Sequence, residues 1–343
     1  MLTPRTVLSI VNGRKLKMKS ISLLATISTF AILSYGCSND RNHAESSIDH
    51  DTERLTESLV KNGNPSLSSE GRRNASFELS LEDIEKVLEK CAPPSGWHNV
   101  VNKFGDGYYL FGEMHGTQET PKAAAEFACA LSVLSDDNIH VAFELTEFIP
   151  HILDVNSPNL SGDPRADVIS AFPEFWLYPS GDGRRSEAVM GAILRLISLQ
   201  NDGANITIGS MGLLPEQQKN ISERKIKKRE AEKVNLQSMA EGSSSVIVLS
   251  GNWHTPRYVS ILNEVEGITP ISFDHYYGEG FATNCMEECT VNRLHAEPFY
   301  QDLRLLSSDV LVLLPNIQGT YSGFLAIDEP VSSPIIQENP FKD

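Results

Sequence analysis

The chain carries few basic residues for its length. Its 343 residues include 29 Lys and Arg against 45 Asp and Glu, which gives a formal net charge of −16. Phosphate backbones are bound by clustered Lys and Arg, so this composition argues against nucleic acid as a partner. The basic run at residues 224–229 is the exception, and a solvated helix face is the ordinary explanation for such a run.

The chain also lacks the common short motifs of hydrolases and nucleotide-binding enzymes. It contains no Gly-x-Ser-x-Gly elbow, no His-Glu-x-x-His pair, no Walker loop and no Gly-x-Gly-x-x-Gly fingerprint. These absences disfavour the usual serine-hydrolase and zincin mechanisms. Any catalytic chemistry must come from a different arrangement of side chains.

Extended apolar stretches are scarce, and the most prominent one lies near the N-terminus. Residues 21–33 are largely apolar, basic residues precede them, and small residues lead from them to Cys37. This is the pattern of a bacterial export signal. We therefore predict that residues 1–36 form an export signal that starts at Met1 or Met18. The stretch is short for crossing about 30 Å of hydrocarbon, which disfavours a membrane-spanning anchor.

The end of this signal resembles a lipobox, in which a cysteine is lipidated and becomes the mature N-terminus. Gly36-Cys37 fits that pattern, so Cys37 is the predicted lipidation site, with a simple cleaved signal as the alternative. Ser38 at the next position favours the outer membrane. We therefore expect a lipid-anchored protein of the cell envelope, facing the periplasm.

The region after the signal is polar and strongly acidic overall. Removing residues 1–36 takes away five basic residues and no acidic one, which changes the net charge from −16 to −21. Residues 37–79 are rich in Ser, Asn, Asp, Glu and Arg and contain few large apolar groups. Such a segment buries too little surface to offset its ordering entropy, so we predict a flexible tether.

Four cysteines remain once Cys37 is assigned to lipid. An even number in an exported protein indicates disulfides, and we predict one between Cys91 and Cys129 and one between Cys285 and Cys289. The alternative for Cys285 and Cys289 is a metal site. It would need a second pair of ligands to complete tetrahedral coordination.

Residues 80–343 are predicted to form a single α/β domain. Strand-like apolar runs alternate with segments of helical spacing, which implies a mainly parallel sheet with helices on both faces. The runs begin at Tyr108, Ile139, Ile206 and Val246, and the helical segments are 120–131, 187–200 and 216–241. Residues 153–185, rich in Pro and Gly, are the expected lid or substrate-facing insertion.

Three helix starts are predicted from capping patterns. Ser80 and the acidic residues after it resemble a helix cap, and Leu81, Ile84, Leu88 and Cys91 recur at helical spacing, so we expect a short helix that packs on the domain through these residues. Thr120-Pro121 has the residue types of an N-cap and a first helical position. Ser186 is the expected cap of the helix that follows it.

Polar groups follow three of the strand-like runs. Glu113 and His115 end the first run, Glu144 ends the second, and His254 lies just beyond the run that begins at Val246. The carboxyl ends of parallel strands share one edge of a sheet, so these four side chains are expected to converge on one site if the strands are neighbours. A structural histidine and a helix-capping carboxylate are the alternatives for His115 and Glu113.

These residues resemble a known superfamily. Residues 112–117 (Gly-Glu-Met-His-Gly-Thr), Glu144, and residues 251–254 (Gly-Asn-Trp-His) are similar to the erythromycin esterase-like proteins, the ChaN-like haem-binding proteins and the TraB/Tiki-type metalloproteases. The closer likeness is to exported bacterial proteins with a Gly-Glu-x-His-Gly-Thr motif. The resemblance covers residues 91–314.

The resemblance implies three functions, of which hydrolysis is our leading hypothesis. In the esterase-like version His115 takes a proton from water, Glu113 or Glu144 orients it, and His254 assists. In the metalloprotease-like version the same four residues hold a divalent metal that activates water. The ChaN-like version binds haem or iron, for which Tyr108, Tyr109, Tyr276 and Tyr277 are available ligands. A non-catalytic envelope lipoprotein is a further alternative.

The resemblance also suggests how a substrate is held. Residues 182–184 (Asp-Gly-Arg) match an element that lies near the cleft in the exported relatives, which implies that Arg184 binds a carboxylate or phosphate. A polar turn before the Ser186 cap is an equally good explanation. A small molecule or a peptide is the expected substrate.

Overall fold

The computed structural model describes residues 78–145, 162–171, 175–176, 183–210, 234, 236–239, 242–251, 270–285, 289–295, 310–313 and 323–336. The predicted export signal, Cys37 and almost all of the tether lie outside these residues, as do the basic run 224–229, His254 and most of the insertion 153–185. Within the described ranges, no helix is long and apolar enough to cross a membrane.

Nine strands and five helices make up the described part of the chain. The strands are β1 (Tyr108–Glu113), β2 (Ile139–Phe143), β3 (Ile206–Ser210), β4 (Ser245–Gly251), β5 (Pro270–Tyr277), β6 (Gly280–Cys285), β7 (Cys289–Leu294), β8 (Val310–Leu313) and β9 (Gly323–Ile327). The helices are α1 (Leu81–Lys90), α2 (Trp97–Phe104), α3 (Glu119–Leu134), α4 (Pro164–Ala171) and α5 (Glu187–Asn201). A short 3-10 turn, Gly183–Arg185, precedes α5.

Seven strands form one sheet in the order β3-β2-β4-β1-β5-β9-β8. All neighbours in it are parallel except β8 and β9, and β6 and β7 form a separate antiparallel hairpin. The prediction of an α/β fold with a mainly parallel sheet is therefore confirmed. The four strands predicted from apolar runs are β1 to β4.

Strand β4 lies between β1 and β2 and aligns their ends. Glu113 of β1 is level with Gly251 of β4, and Phe143 of β2 is level with Leu249. Glu144 follows Phe143 directly, and its N–H donates to the Leu249 carbonyl at 3.0 Å. The ends of these strands therefore meet at one edge of the sheet, as the sequence predicted.

Helices cover both faces of the sheet. On one face the rings of Tyr109 and Phe111 pack against Phe127 of α3 at centroid distances of 4.9 and 5.5 Å. On the other face Leu236 and Met239, from a helical segment at 236–239, join Leu110, Val246 and Val248 in a second cluster. Burying each large apolar side chain contributes about 1.5–3 kcal/mol, so the two layers hold the strand ends in place.

The caps of α1 and α5 are those predicted from the sequence, whereas the buried face of α1 differs from the prediction. Ser80 and Asp83 form the predicted capping box, and the Ser186 hydroxyl accepts from the Val189 N–H at 3.3 Å. Leu81 and Leu88, predicted to face the domain, are 79% and 55% exposed. Helix α1 instead buries Val87 and the following Cys91, because that cysteine is bonded to α3.

Helix α3 starts earlier than predicted. It begins at Glu119, and its cap position is Gln118, which makes no side-chain cap bond. Thr120 lies inside the first turn, where its hydroxyl contacts His275 Nδ1 at 3.2 Å. Pro121 is tolerated there because the first N–H groups of a helix have no intrahelical partner. Ala124, Phe127, Ala128 and Leu131, which share one face of the predicted helix 120–131, are buried.

The predicted disulfide between Cys91 and Cys129 is present and joins α1 to α3. Cys289 is also disulfide-bonded, and the strand register places it opposite Cys285 across the β6–β7 hairpin. The side chain of Cys285 lies outside the described part, so its pairing stays a prediction. Cys91, Glu126 and Cys129 have ligand atoms within 4.8 Å of one another, but the bonded sulfurs are not thiolates and cannot ligate a metal as thiolates do.

Candidate functional site

The strand ends bring together three of the four residues predicted to share a site. Glu113 is the last residue of β1, His115 lies two residues later, and Glu144 follows β2. Arg184, the predicted substrate-binding residue, reaches the same place from the 3-10 turn before α5. His254 lies outside the described residues.

Glu113 and His115 are in direct contact. His115 Nδ1 lies 2.6 Å from Glu113 Oε1, and the Glu113 side chain is almost fully buried. The next residue, Gly116, has a φ of 85°, a left-handed conformation that glycine adopts without strain. This turn folds the chain back after β1, so that the carboxylate and the imidazole two residues apart can meet.

Glu144 is held by charged and backbone donors. Its Oε2 accepts from the Gly251 N–H and its Oε1 from Arg184 Nη1, both at 3.0 Å. Its Oε2 also lies 3.9 Å from His115 Nε2. These donors favour the ionised carboxylate. The imidazole of His115 thus lies between two carboxylates, one on each ring nitrogen.

The geometry specifies which nitrogen of His115 is available for chemistry. In the neutral ring, Nδ1–H donates to the Glu113 carboxylate, so Nε2 is the nitrogen whose lone pair can accept a proton. The His115 and Arg184 side chains are 21% and 20% exposed, against 3% and 6% for Glu113 and Glu144. Buried carboxylates thus support two groups that solvent or a ligand can reach.

The metal site predicted from Glu113, His115, Glu144 and His254 stays a prediction, because His254 lies outside the described residues, and the other three do not by themselves form a three-ligand cluster. Glu113 Oε1 is bonded to the imidazole, and both Glu144 oxygens accept hydrogen bonds. Among the residues that the structure describes, ligand atoms of Glu113, His115 and Glu144 do not all lie within 4.8 Å of one another. The Arg184 cation beside Glu144 also opposes a second positive charge there.

His275 supports the site, although no partner for it could be predicted from the sequence. Its Nδ1 accepts a hydrogen bond from the Met114 N–H at 3.0 Å, and Met114 is the residue between Glu113 and His115 in the sequence. Burial lowers its pKa to about 3, so the ring stays neutral and Nδ1 stays an acceptor. The available signal was its place in a strand-like run, which becomes informative only once β5 is known to lie beside β1.

The stability of the protein is expected to fall as the pH drops from about 6.5 towards 3. In that range the unfolded chain protonates His275, whose pKa is then ordinary, whereas the folded chain does not. Because the unfolded state binds more protons in this pH range, the free energy of unfolding rises with pH and reaches its full value only above a pH of about 6.5. His140, whose pKa burial lowers to about 4, acts in the same direction.

Denaturant unfolding at pH about 4 and about 7 measures this dependence. The His275→Asn variant offers a side-chain oxygen to the Met114 N–H but has no group that titrates. We expect a smaller loss of stability on acidification in this variant. An equal loss in both proteins would show that His275 is not responsible.

A side chain at Gly251 is expected to displace the imidazole of His115. A Cβ at this position would lie 2.8 Å from His115 Nε2 and 3.6 Å from Glu144 Oε2. Gly251→Ala should therefore displace the imidazole and alter the Nδ1–H signal of His115 in histidine-selective NMR spectra. The matched control is Gly191→Ala on α5, where a Cβ meets nothing within 4 Å. An unchanged His115 signal in Gly251→Ala would contradict the geometry.

The two turns that carry His115 and Arg184 touch through their backbones. A Cβ on Gly183 would lie 2.1 Å from Gly116 N and 2.4 Å from the His115 carbonyl carbon. A Cβ on Gly116 would lie 2.0 Å from the Thr283 carbonyl oxygen in β6. A side chain on Gly183 would therefore separate the two turns, and a side chain on Gly116 would push its turn away from β6.

Other histidine and tyrosine side chains lie at both ends of the sheet: His140, Tyr108 and Tyr109 at the amino end, and Tyr277 at the carboxyl end beside His275. His140 is level with Val246 of β4, at the amino end of the sheet. Tyr108 and Tyr109 start β1 at that same end, and the Tyr109 hydroxyl donates to the Gly105 carbonyl. Tyr277 is buried with its ring 5.3 Å from that of His275, and the side chain of Tyr276 lies outside the described part.

No protein-family model matches the chain, and no curated protein does. Solved structures that resemble it include a succinoglycan biosynthesis protein, 10% identical, with a TM-score of 0.44, covering 76% of this chain and 99% of that one. The type III effector HopBA1 is 15% identical, with a TM-score of 0.38 and coverages of 69% and 96%. A Bacillus cereus protein is 10% identical, with a TM-score of 0.38 and coverages of 75% and 99%. The function must therefore be inferred from this chain's own site.

Proposed function

We propose that the protein is a hydrolase in which His115, oriented by Glu113, activates a water molecule. The observation that carries this proposal is the 2.6 Å contact between His115 Nδ1 and Glu113 Oε1, with Nε2 on the opposite side of the ring. Superfamily membership with the erythromycin esterase-like and ChaN-like proteins belongs to the same proposal. Export, lipidation at Cys37 and location at the outer membrane are also parts of this proposal.

The proposed step needs only groups at the site. His115 Nε2 takes a proton from water as the water oxygen bonds to the carbonyl carbon of an ester or amide. Glu113 and Glu144 flank the resulting imidazolium and stabilise its charge. The bond to the leaving group then breaks, and the leaving group receives the proton from His115. The step needs no oxidant or reductant, because the proton taken from water is passed to the leaving group.

Arg184 gives the site an electropositive group that is partly exposed. Its guanidinium bonds Glu144 Oε1, and one-fifth of the side chain is accessible. A guanidinium can bind a carboxylate or phosphate through paired donors. A small molecule or peptide with an anionic group near the scissile bond is therefore the substrate type that this site favours.

The haem-binding and non-catalytic alternatives have less support in the described residues. Of the four tyrosines considered as iron ligands, Tyr108 and Tyr109 lie at the amino end of β1, opposite His115, and the Tyr277 ring packs beside His275. Burying two carboxylates beside one accessible imidazole is unfavourable for stability, so their presence favours a functional site over a non-catalytic one.

The test uses the full chain in detergent and p-nitrophenyl acetate as the ester probe. Metal and haem content are measured first, by elemental analysis and absorbance, and hydrolysis is then followed with and without a chelator. We expect turnover that resists the chelator and is lost in His115→Gln. Equal rates in wild type and His115→Gln would refute the proposal. Stoichiometric metal or haem that disappears in the variant would assign the site to a metallohydrolase or a haem-binding protein instead.

A further inference from the structure

A short segment near the C-terminus crosses both turns that carry the candidate catalytic residues. We call residues 331–336 the strap. Its first half bonds the turn that follows His115: the Gln118 N–H donates to the Val331 carbonyl at 3.0 Å, and the Ser333 N–H donates to the Gly116 carbonyl at 2.8 Å. Gln118 Nε2 donates to the Ser332 carbonyl at 2.9 Å.

The second half of the strap bonds the segment that carries Arg184. The Glu187 N–H donates to the Pro334 carbonyl at 2.8 Å, and the Ile336 N–H donates to the Arg185 carbonyl at 3.0 Å. The Ala188 N–H donates to the Ser333 hydroxyl at 2.9 Å. The strap thus connects two parts of the chain that are far apart in sequence.

Ser333 lies where the two sets of bonds meet. Its N–H is bonded to the turn beside His115, and its hydroxyl accepts from the first turn of α5, just after Arg184. The side chain is 1% exposed, so water cannot replace the hydroxyl without a rearrangement. Ser333 is the one residue of the strap that binds one turn with its backbone and the other with its side chain among the described contacts.

We infer that Ser333 is a positioning residue of the site: it fixes the distance between the turns that carry His115 and Arg184. The inference rests on the proposed function, because positioning has meaning only for groups that act together. Glu144 lies between these turns and contacts both, at 3.9 Å from His115 Nε2 and 3.0 Å from Arg184 Nη1. Moving either turn therefore changes the environment of the reactive imidazole.

The backbone contact between the turns explains why a clamp is needed. Gly183 and Gly116 meet with no room for a side chain between them. Glycines contribute little packing and keep more backbone freedom than other residues in the unfolded chain. Hydrogen bonds from the strap supply the restraint that side-chain packing supplies elsewhere in the core.

The test compares Ser333→Ala with Ser332→Ala. The first variant removes the acceptor of the Ala188 N–H but keeps the bond from the Ser333 N–H to Gly116. The second is a matched control, because Ser332 uses only its carbonyl oxygen in the contacts described for the strap. Hydrolysis of p-nitrophenyl acetate gives kcat and KM. Side-chain NMR of His115 and Arg184, assigned with His115→Gln and Arg184→Lys, reports their geometry without requiring activity.

In Ser333→Ala we expect kcat to fall about tenfold with little change in KM, since a small misplacement of catalytic groups lowers the rate more than the affinity. The Arg184 and His115 signals should shift, while Ser332→Ala should match wild type. Unchanged kcat and unchanged signals in Ser333→Ala would overturn the inference. So would equal effects of the two variants.

Two further outcomes separate this inference from the proposed function. If wild type does not hydrolyse the probe but Ser333→Ala still shifts both NMR signals, the hydrolase proposal fails and the positioning role stands. If Ser333→Ala does not fold, Gln118→Ala replaces it, because that exposed side chain bonds the strap from the His115 side. A shift of the His115 signal in Gln118→Ala supports the inference, and no shift overturns it.

Discussion

Replacing His115 by Gln is expected to lower kcat for the ester probe about 1,000-fold, within the range that positioned acid–base groups contribute. Gln can still donate to Glu113, but it has no group that takes a proton from water. The rates of wild type and variant with p-nitrophenyl acetate, at saturating probe, measure the effect. His295→Gln is the control, because His295 is exposed and follows β7.

Glu113→Gln sharpens this experiment because it keeps the shape of the side chain. A side-chain amide can donate to His115 Nδ1, which would place the imidazole proton on Nε2 and remove the base. A carboxylate-to-amide change of this kind in a His–Asp pair lowers kcat about 10,000-fold in serine proteases. We expect a loss of the same order of magnitude here. A variant that keeps more than about a tenth of the wild-type rate would exclude Glu113 as the orienting group.

Removing the disulfide between Cys91 and Cys129 is expected to lower the free energy of unfolding by about 4 kcal/mol. The bond closes a loop with a sequence separation of 38, and loop closure of that length restricts the unfolded chain by about this amount. Each kcal/mol shifts the melting temperature of a protein of this size by about 2–4 °C. The Cys91→Ala/Cys129→Ala variant should therefore melt about 8–16 °C lower.

Thermal unfolding of the double variant, with and without a reductant, measures this contribution. Any further loss on adding the reductant belongs to the disulfide that contains Cys289. Arg195 serves as a local control: it donates to Glu126 Oε1 at 2.9 Å and to the Lys90 carbonyl at 2.7 Å, and Arg195→Lys leaves the sulfurs bonded. If the double variant melts with wild type, the disulfide adds nothing to stability.

Local patterns in the sequence were sufficient to predict the strands and part of the site. Strands β1, β2 and β4 are short apolar runs; Glu113 is the last residue of β1, and Glu144 directly follows β2. Because parallel strands end at the same edge, the neighbourhood of Glu113, His115 and Glu144 could be predicted without coordinates. The disulfide between Cys91 and Cys129 was likewise predicted.

Features that depend on contacts between distant parts of the chain could not be predicted. The bond from Met114 N to His275 Nδ1 joins residues 161 positions apart, and the bond from Ala188 N to Ser333 joins residues 145 apart. No local sequence pattern around His275 or Ser333 indicates these partners. The prediction for Leu81 and Leu88 was wrong for a related reason, because the disulfide at Cys91 determines which side of α1 is buried.

The position of β4 between β1 and β2 has a consequence for the order in which the sheet can form during synthesis. Strands β1 and β2 are each paired with β4 and not with each other, and β4 follows β2 by about a hundred residues. A nascent chain that has emerged only through α5 has both carboxylates but no strand to join them. The sheet can close only after residue 251, and such non-local pairing slows folding.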